Sequence, residues 1–567
     1  MMLSAGLLLG APLAQGEASC HGLRHFEIPA ERIGMATTGA EVDSARMHHA
    51  GSMPYCRVMG RIHPVDPKAD DIRFELNLPE GRAGQAGWNG KALQVGGGTF
   101  DGYLGSTDGR GRTAVGLQSQ ATPLTRGYAT FGSDSGHHRS YFPFPDAVNT
   151  LNARFARNPE MQRNFAGDAL KKVHDVAVAI MEQGYGRGPS RMYFIGGSTG
   201  GREALRAVEQ APADYDGVLA AYAAWDQVEL DLQFMRTARA LYEHGGFLGH
   251  AQRKFVARAV ERSCDAQDGL RDGIVSDTAD CHVPLEMLAC APERSGPERS
   301  GPEHSGLERS GHGCLSPAQL HTLETFATPQ QTAMPLSHGV DSIPGYNVLT
   351  GADLGGVVGL LHLPMRNPII LLNSFGYVIG DDVTRNFLSV GHHFDSRKFD
   401  TSTGGAWHDE LLRQAEEIDA TDTDLRPFFA HGGKLILVHG ATDTIIPTGS
   451  TVDFYERLRR SVGAAMTERS ARLYIIPGFG HSFGRFKAGF DTIGVLDGWA
   501  DGGRAPRDLV VTDNHNGRTR PLCDWPTWPR YGGDGDPNVA TSYSCALPAA
   551  QQASQQASLQ TARQAAR

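Results

Sequence analysis

This 567-residue chain has no apolar run long enough to cross a bilayer, its short apolar start included, which excludes a helical membrane span. It also lacks a basic stripe with interleaved aromatics. Its formal net charge is −10, and neutralising phosphates needs clustered Lys and Arg, so nucleic acid is excluded as a partner. No C-x-x-C pair occurs, which removes the commonest thiolate metal sites. The first residues lack a positive charge, yet an apolar stretch followed by small residues reads as an export signal over residues 1–18. The alternative there is a buried N-terminal helix. The expected location is secreted or periplasmic.

What the chain does have is bulk and glycine. With 40% hydrophobic residues it can bury a large core, and its 70 glycines imply many tight turns and loop-built sites. Its 8 cysteines are Cys20, Cys56, Cys264, Cys281, Cys290, Cys314, Cys523 and Cys545. In an exported protein an even set points to disulfides. Spacing leaves the connectivity open; nearest-neighbour pairing would close four loops, and buried free thiols are the alternative.

Asp71–Leu78 alternates polar with apolar residues, the pattern of a half-exposed strand. Short strands are expected at Trp88–Val95, Tyr128–Phe131, Arg191–Ile195, Lys434–Val438 and Arg472–Ile476, and helices at Phe165–Gln183 and Arg202–Val208. Strand, loop and helix in alternation predict an α/β fold, a mostly parallel sheet covered by helices. From about Trp225 to Arg426 that rhythm stops. The expected organisation is a core in two parts, 19–224 and 426–549, with an inserted lid at 225–425. Within the lid, residues 292–311 repeat Pro-Glu-Arg-Ser-Gly with small variations, a composition that cannot build a core. A tail over 550–567, rich in Gln and Ala, is expected to be disordered.

Gly196-Gly197-Ser198-Thr199-Gly200 fits G-x-S-x-G, a weak pattern in so glycine-rich a chain. Its context, after an apolar strand and before a helix, makes it a nucleophile elbow. A serine nucleophile needs a base, and the base an orienting acid. Asp443 follows the strand Lys434–Val438, and His481 follows Arg472–Ile476 in a glycine loop. Ser198, Asp443 and His481 stand in the chain order of α/β-hydrolases. The Thr199 amide, with one from Gly98 or Thr99, is the candidate oxyanion hole. Cys264-Asp265-Ala-Gln-Asp268-Gly-Leu270-Arg-Asp272-Gly-Ile274 places three carboxylates at short spacing, which can wrap a hard cation or form a solvated acidic turn.

These motifs resemble the tannase and feruloyl esterase family, which includes the enzyme cleaving mono(hydroxyethyl) terephthalate. The resemblance runs from about Cys20 to Cys545. It rests on Trp88-Asn-Gly, Gly-Gly-Ser198-Thr-Gly-Gly-Arg-Glu, Tyr215-Asp-Gly-Val, the acidic loop, His-Gly-Ala-Thr-Asp443, Pro-Gly-Phe-Gly-His481 and Arg520-Pro-Leu-Cys-Asp-Trp-Pro526. It implies an α/β-hydrolase core with a lid, and a structural Ca2+ held by Asp265, Asp268 and Asp272 and by the carbonyls of Leu270 and Ile274. It further implies disulfides Cys20–Cys56, Cys264–Cys281, Cys290–Cys314 and Cys523–Cys545. The family usually joins a cysteine before the serine to one after the histidine; here those places hold Gly197 and Ser482. Thr99 also stands where glycine is common. The implied reaction is hydrolysis of an aromatic-acid ester, feruloyl- or galloyl-type, through an acyl-enzyme. The alternatives are an esterase, lactonase or acyltransferase of other acyl preference, and a non-catalytic secreted binding protein of the same fold.

Overall fold

The computed structural model describes residues 20–81, 87–109, 115–138, 151–290, 313–391 and 394–553. The export signal, the repeat at 292–311 and nearly all of the tail lie outside them.

Ten strands form one sheet: β1 (Glu27–Ile28), β2 (Gly39–Ala50), β3 (Met53–His63), β4 (Ile72–Pro79), β5 (Lys91–Val95), β6 (Ala129–Ser133), β7 (Arg191–Gly197), β8 (Gly217–Ala221), β9 (Lys434–Gly440) and β10 (Ala471–Ile476). Their spatial order is β1-β2-β3-β4-β6-β5-β7-β8-β9-β10. From β6 to β10 every pairing is parallel; from β1 through β4 to β6 every pairing is antiparallel. The fold is an α/β-hydrolase type whose parallel half carries an antiparallel extension.

Both faces of the parallel half are covered, which is why its strands read as short continuous apolar runs. In β7, Met192 and Phe194 pack with the helices Ala169–Tyr185 and Thr199–Gln210, while Tyr193 and Ile195 pack with Leu496 and Trp499 of Thr492–Ala500. In β9, Leu435 and Leu437 take the first face and Ile436 and Val438 the second.

Strand β4 departs from the half-exposed expectation. All of it from Phe74 to Pro79 is buried. Its charged residues are covered in pairs instead: Glu75 meets Arg57 and the Thr107 hydroxyl, and Arg73 Nε donates to Asp134 at 2.6 Å.

Strands β8 and β9 are direct neighbours, Gly217 opposite Lys434, although residues 222–433 intervene. The regular structure of that excursion is chiefly helical, with Gln227–Tyr242, His250–Cys264, Pro317–Ala327, Phe375–Asn386 and His408–Ile418 packed in two apolar clusters. Disulfides join Cys20–Cys56, Cys264–Cys281, Cys290–Cys314 and Cys523–Cys545, and no described cysteine is free. Among the described residues no helix is long and apolar enough to cross a membrane.

Candidate active site

The carboxyl ends of β7, β8, β9 and β10 lie side by side, and the chain leaving three of them carries Ser198, Asp443 and His481. Ser198 follows β7 at φ 62°, ψ −126°, then the helix Thr199–Gln210 begins. A non-glycine residue in that conformation is strained and persists only where its surroundings hold it. Here its amide donates to Ala221 O at 3.0 Å, and its carbonyl accepts from Gly201, Arg202 and Ala224. The glycines are steric requirements: a Cβ on Gly196 would overlap the Gly200 carbonyl, and one on Gly200 would lie 2.8 Å from Gly97 O.

His481 Nδ1 lies 2.8 Å from Asp443 Oδ2. Asp443 is wholly buried, and its Oδ1 accepts the amides of Ile445 (2.8 Å) and Ile446 (3.0 Å). His439 Nε2 stands 3.3 Å from Oδ2. Burial pushes this carboxyl up, but the His481 imidazole and the hydrogen bonds from His439 and His481 outweigh it. The carboxyl is held well below the usual carboxylate range. Ser198 and His481 share no hydrogen bond; their loops meet at Tyr222. Catalytic hydrogen bonds are often long without substrate.

The glycine turn after β5 reaches the elbow directly. Thr199 Oγ1 donates to Thr99 O at 2.6 Å, so the candidate oxyanion residues on the two loops are tied together. Thr99 has φ 57°, in the region that favours glycine. Beneath the turn, the Gly97 amide donates to Glu203 Oε2 at 2.9 Å, and Ser135 Oγ donates to Asp101 Oδ2 at 2.8 Å. Burial pushes the Glu203 carboxyl up, against Arg202 and the Gly97 amide. Reading the sequence missed Glu203, Asp101 and Ser135. Glu203 stood inside the quoted motif, but only its helical position, five residues past Ser198, turns it under the glycine turn.

The acidic loop leaves the helix His250–Cys264 and is pinned by Cys264–Cys281. Asp265, Asp268 and Asp272 accept the amides of Gly273 (2.8 Å), Leu270 (3.0 Å) and Ile274 (3.0 Å). Asp272 Oδ2 also accepts from Arg520 at 2.9 Å. Asp268 is pushed up to about 6, by burial first and then by the charges of Asp272 and Asp265.

Among the described residues, two groups of three metal-ligand types do converge within 4.8 Å, Cys20/Cys56/Glu80 and His174/Asp175/Asp214; the acidic loop is not one of them. The first offers no thiolate, since its cysteines are bonded to each other. The second already holds a cation, with Lys171 Nζ 2.7 Å from Asp175 and 2.9 Å from Asp214.

Residues 56–546 match the family model described as tannase and feruloyl esterase. An uncharacterized esterase of Agrobacterium fabrum is 35% identical, over 93% of each chain. The mono(2-hydroxyethyl) terephthalate hydrolase of Piscinibacter sakaiensis is 28% identical, over 88% of this chain and 86% of that one. Feruloyl esterase B of Aspergillus oryzae has the same fold, with TM-score 0.69 and 21% identity over 90% of this chain and 98% of that one. The elbow after β7, the buried acid after β9, its imidazole partner after β10 and these matches lead to one assignment: the chain belongs to the tannase and feruloyl esterase family, serine hydrolases of the α/β-hydrolase fold that act on carboxylic esters.

Proposed function

We propose that this protein is an exported serine esterase that hydrolyses esters of aromatic acids with Ser198, His481 and Asp443 as its triad. The observation that carries the reading is the 2.8 Å bond between His481 and a buried, ionised Asp443, together with a serine in elbow geometry after a strand of the same sheet. His481 Nε2 takes the Ser198 proton as Oγ attacks the ester carbonyl. The tetrahedral oxyanion is held by the Thr199 amide and one from Gly98 or Thr99. His481 then protonates the leaving alcohol, and the acyl-enzyme forms. Water deprotonated by His481 releases the acid and restores Ser198. Asp443 keeps the Nδ1–H tautomer and stabilises the imidazolium. The aromatic acyl preference is supported by the names of relatives, feruloyl esterases and mono(2-hydroxyethyl) terephthalate hydrolase.

The acidic loop suits a structural calcium. Its donors are hard carboxylate oxygens, two of its aspartates are almost fully buried, and the Asp268 carboxyl, raised first by burial, is raised further by the charges of Asp272 and Asp265. Asp265, Asp268 and Asp272, with the Leu270 and Ile274 carbonyls, would hold the ion and fix the loop; it takes no part in the chemical step. Four disulfides support an oxidising compartment, secreted or periplasmic. The helical excursion over 225–425 is proposed as the lid that shapes the acyl pocket.

Hydrolysis of methyl ferulate, methyl gallate and p-nitrophenyl acetate by the wild type and Ser198→Ala tests the reading. Serine-dependent release of ferulate or gallate supports it. Activity confined to the p-nitrophenyl ester removes the aromatic-acid preference, and activity retained in Ser198→Ala removes the triad.

A further inference from the structure

We propose that Tyr222 is a positioning residue that holds the His481 loop in register with the Ser198 elbow, an inference that rests on the triad reading. Tyr222 is the first residue after β8, the strand between β7 and β9, so it emerges between the serine loop and the acid loop. Its amide donates to Val438 O of β9 at 2.6 Å. Its φ is 34°, an outlier for a bulky side chain, and its ring is 1% exposed. A residue keeps such a conformation only where the surrounding structure requires it.

The side chain reaches both the serine loop and the histidine loop. On one side, a Cβ on Gly197, the residue before the serine, would lie 2.8–3.0 Å from Tyr222 Cε2, Cζ and OH. Gly197 is therefore glycine because the tyrosine occupies its side-chain space. On another side the ring centroid is 4.5 Å from that of His481, which lines one face of the imidazole. At its tip, the phenol oxygen lies 2.8 Å from Ser482 Oγ, the residue after the histidine. Ser482 itself has φ 70°, so this hydrogen bond anchors a turn held in the left-handed region. The side chain thus spans from the residue before the nucleophile to the residue after the base, joining the two loops through contact and a hydrogen bond. This arrangement leaves His481 free to exchange a proton while limiting its swing away from Ser198.

The test uses the full chain and the variants Tyr222→Phe, Ser482→Ala, their combination, and Tyr222→Ala, each checked for an unchanged melting temperature. Tyr222→Phe and Ser482→Ala should each lower kcat roughly 3- to 10-fold, as loss of one hydrogen bond implies, with KM nearly unchanged. Because both remove the same bond, the double variant should be no slower than the slower single one. Tyr222→Ala should lose on the order of 100-fold in kcat through misplacement of the imidazole. Wild-type kcat in folded Tyr222→Phe and Ser482→Ala would overturn the proposal, as would losses that multiply in the double variant. If Tyr222→Ala fails to fold, those three decide alone. Activity surviving in Ser198→Ala would instead remove the triad on which the proposal stands.

Discussion

Nδ1 of His481 sits 2.8 Å from an Asp443 oxygen with no exposed surface, while the other oxygen of that carboxylate is taken by two backbone amides. The acid is fixed by its own loop before it meets the imidazole, so it orients His481 rather than following it. Asp443→Asn should preserve the fold and lower kcat by roughly 10³-fold or more, through the wrong imidazole tautomer. The sign of its stability effect follows from its depressed titration. The stabilisation is complete above the unfolded carboxyl range, near pH 4, and is lost only as pH falls toward the folded value. A pH series of melting temperatures should therefore show a shallower acid limb in Asp443→Asn.

The bond from Thr199 Oγ1 to Thr99 O ties the two halves of the proposed oxyanion hole. Thr199→Val keeps the shape and removes the donor, so kcat should drop about 10-fold with little change in KM. Thr99→Gly relieves a left-handed threonine and should keep activity with an equal or higher melting temperature. Steady-state kinetics and calorimetry on the pair check both statements.

Much of this site was legible in the sequence because its chemistry is local. G-x-S-x-G between an apolar strand and a helix, and Asp443 and His481 each just past a buried strand, are short patterns with steric causes. The antiparallel half was harder to read. Strand β3 alternates buried and half-buried residues without a break, but its inward face is Pro54, Cys56, Val58, Gly60 and Ile62, too mixed to look apolar. In β4 the polar residues that suggested exposure are covered by ion pairs formed across the sheet. Tyr222 and Glu203 were out of reach for a different reason: their roles come from what lies opposite them in space.

Asp231, 6% exposed on the helix Gln227–Tyr242, has a carboxyl that burial pushes up to about 8; its Oδ1 accepts from Gln227 Nε2 at 3.1 Å. A raised carboxyl keeps its proton in the folded chain where the unfolded chain has lost it. Stability therefore falls as pH rises from about 4 to about 8. Asp231→Asn should flatten that fall and raise the melting temperature at neutral pH, with on the order of 1 kcal/mol or more gained. Thermal melts from pH 5 to pH 8 check it; parallel curves for both proteins would contradict it.

A calcium in the acidic loop would make stability depend on the free ion, by mass action on the folded state. Chelation should lower the melting temperature of the wild type by several degrees, and added calcium should restore it. Asp268→Asn should shrink that difference sharply while leaving the active-site contacts in place. Differential scanning calorimetry with chelator, calcium and magnesium makes the comparison; a wild-type melt indifferent to chelator would contradict calcium binding.

The most direct test of the central claim is covalent labelling of the purified protein with a serine-directed fluorophosphonate, read by intact mass and peptide mapping. The account predicts one adduct, on Ser198, absent in Ser198→Ala and strongly slowed in His481→Ala. An unlabelled wild type, or an adduct on any other residue, would contradict it.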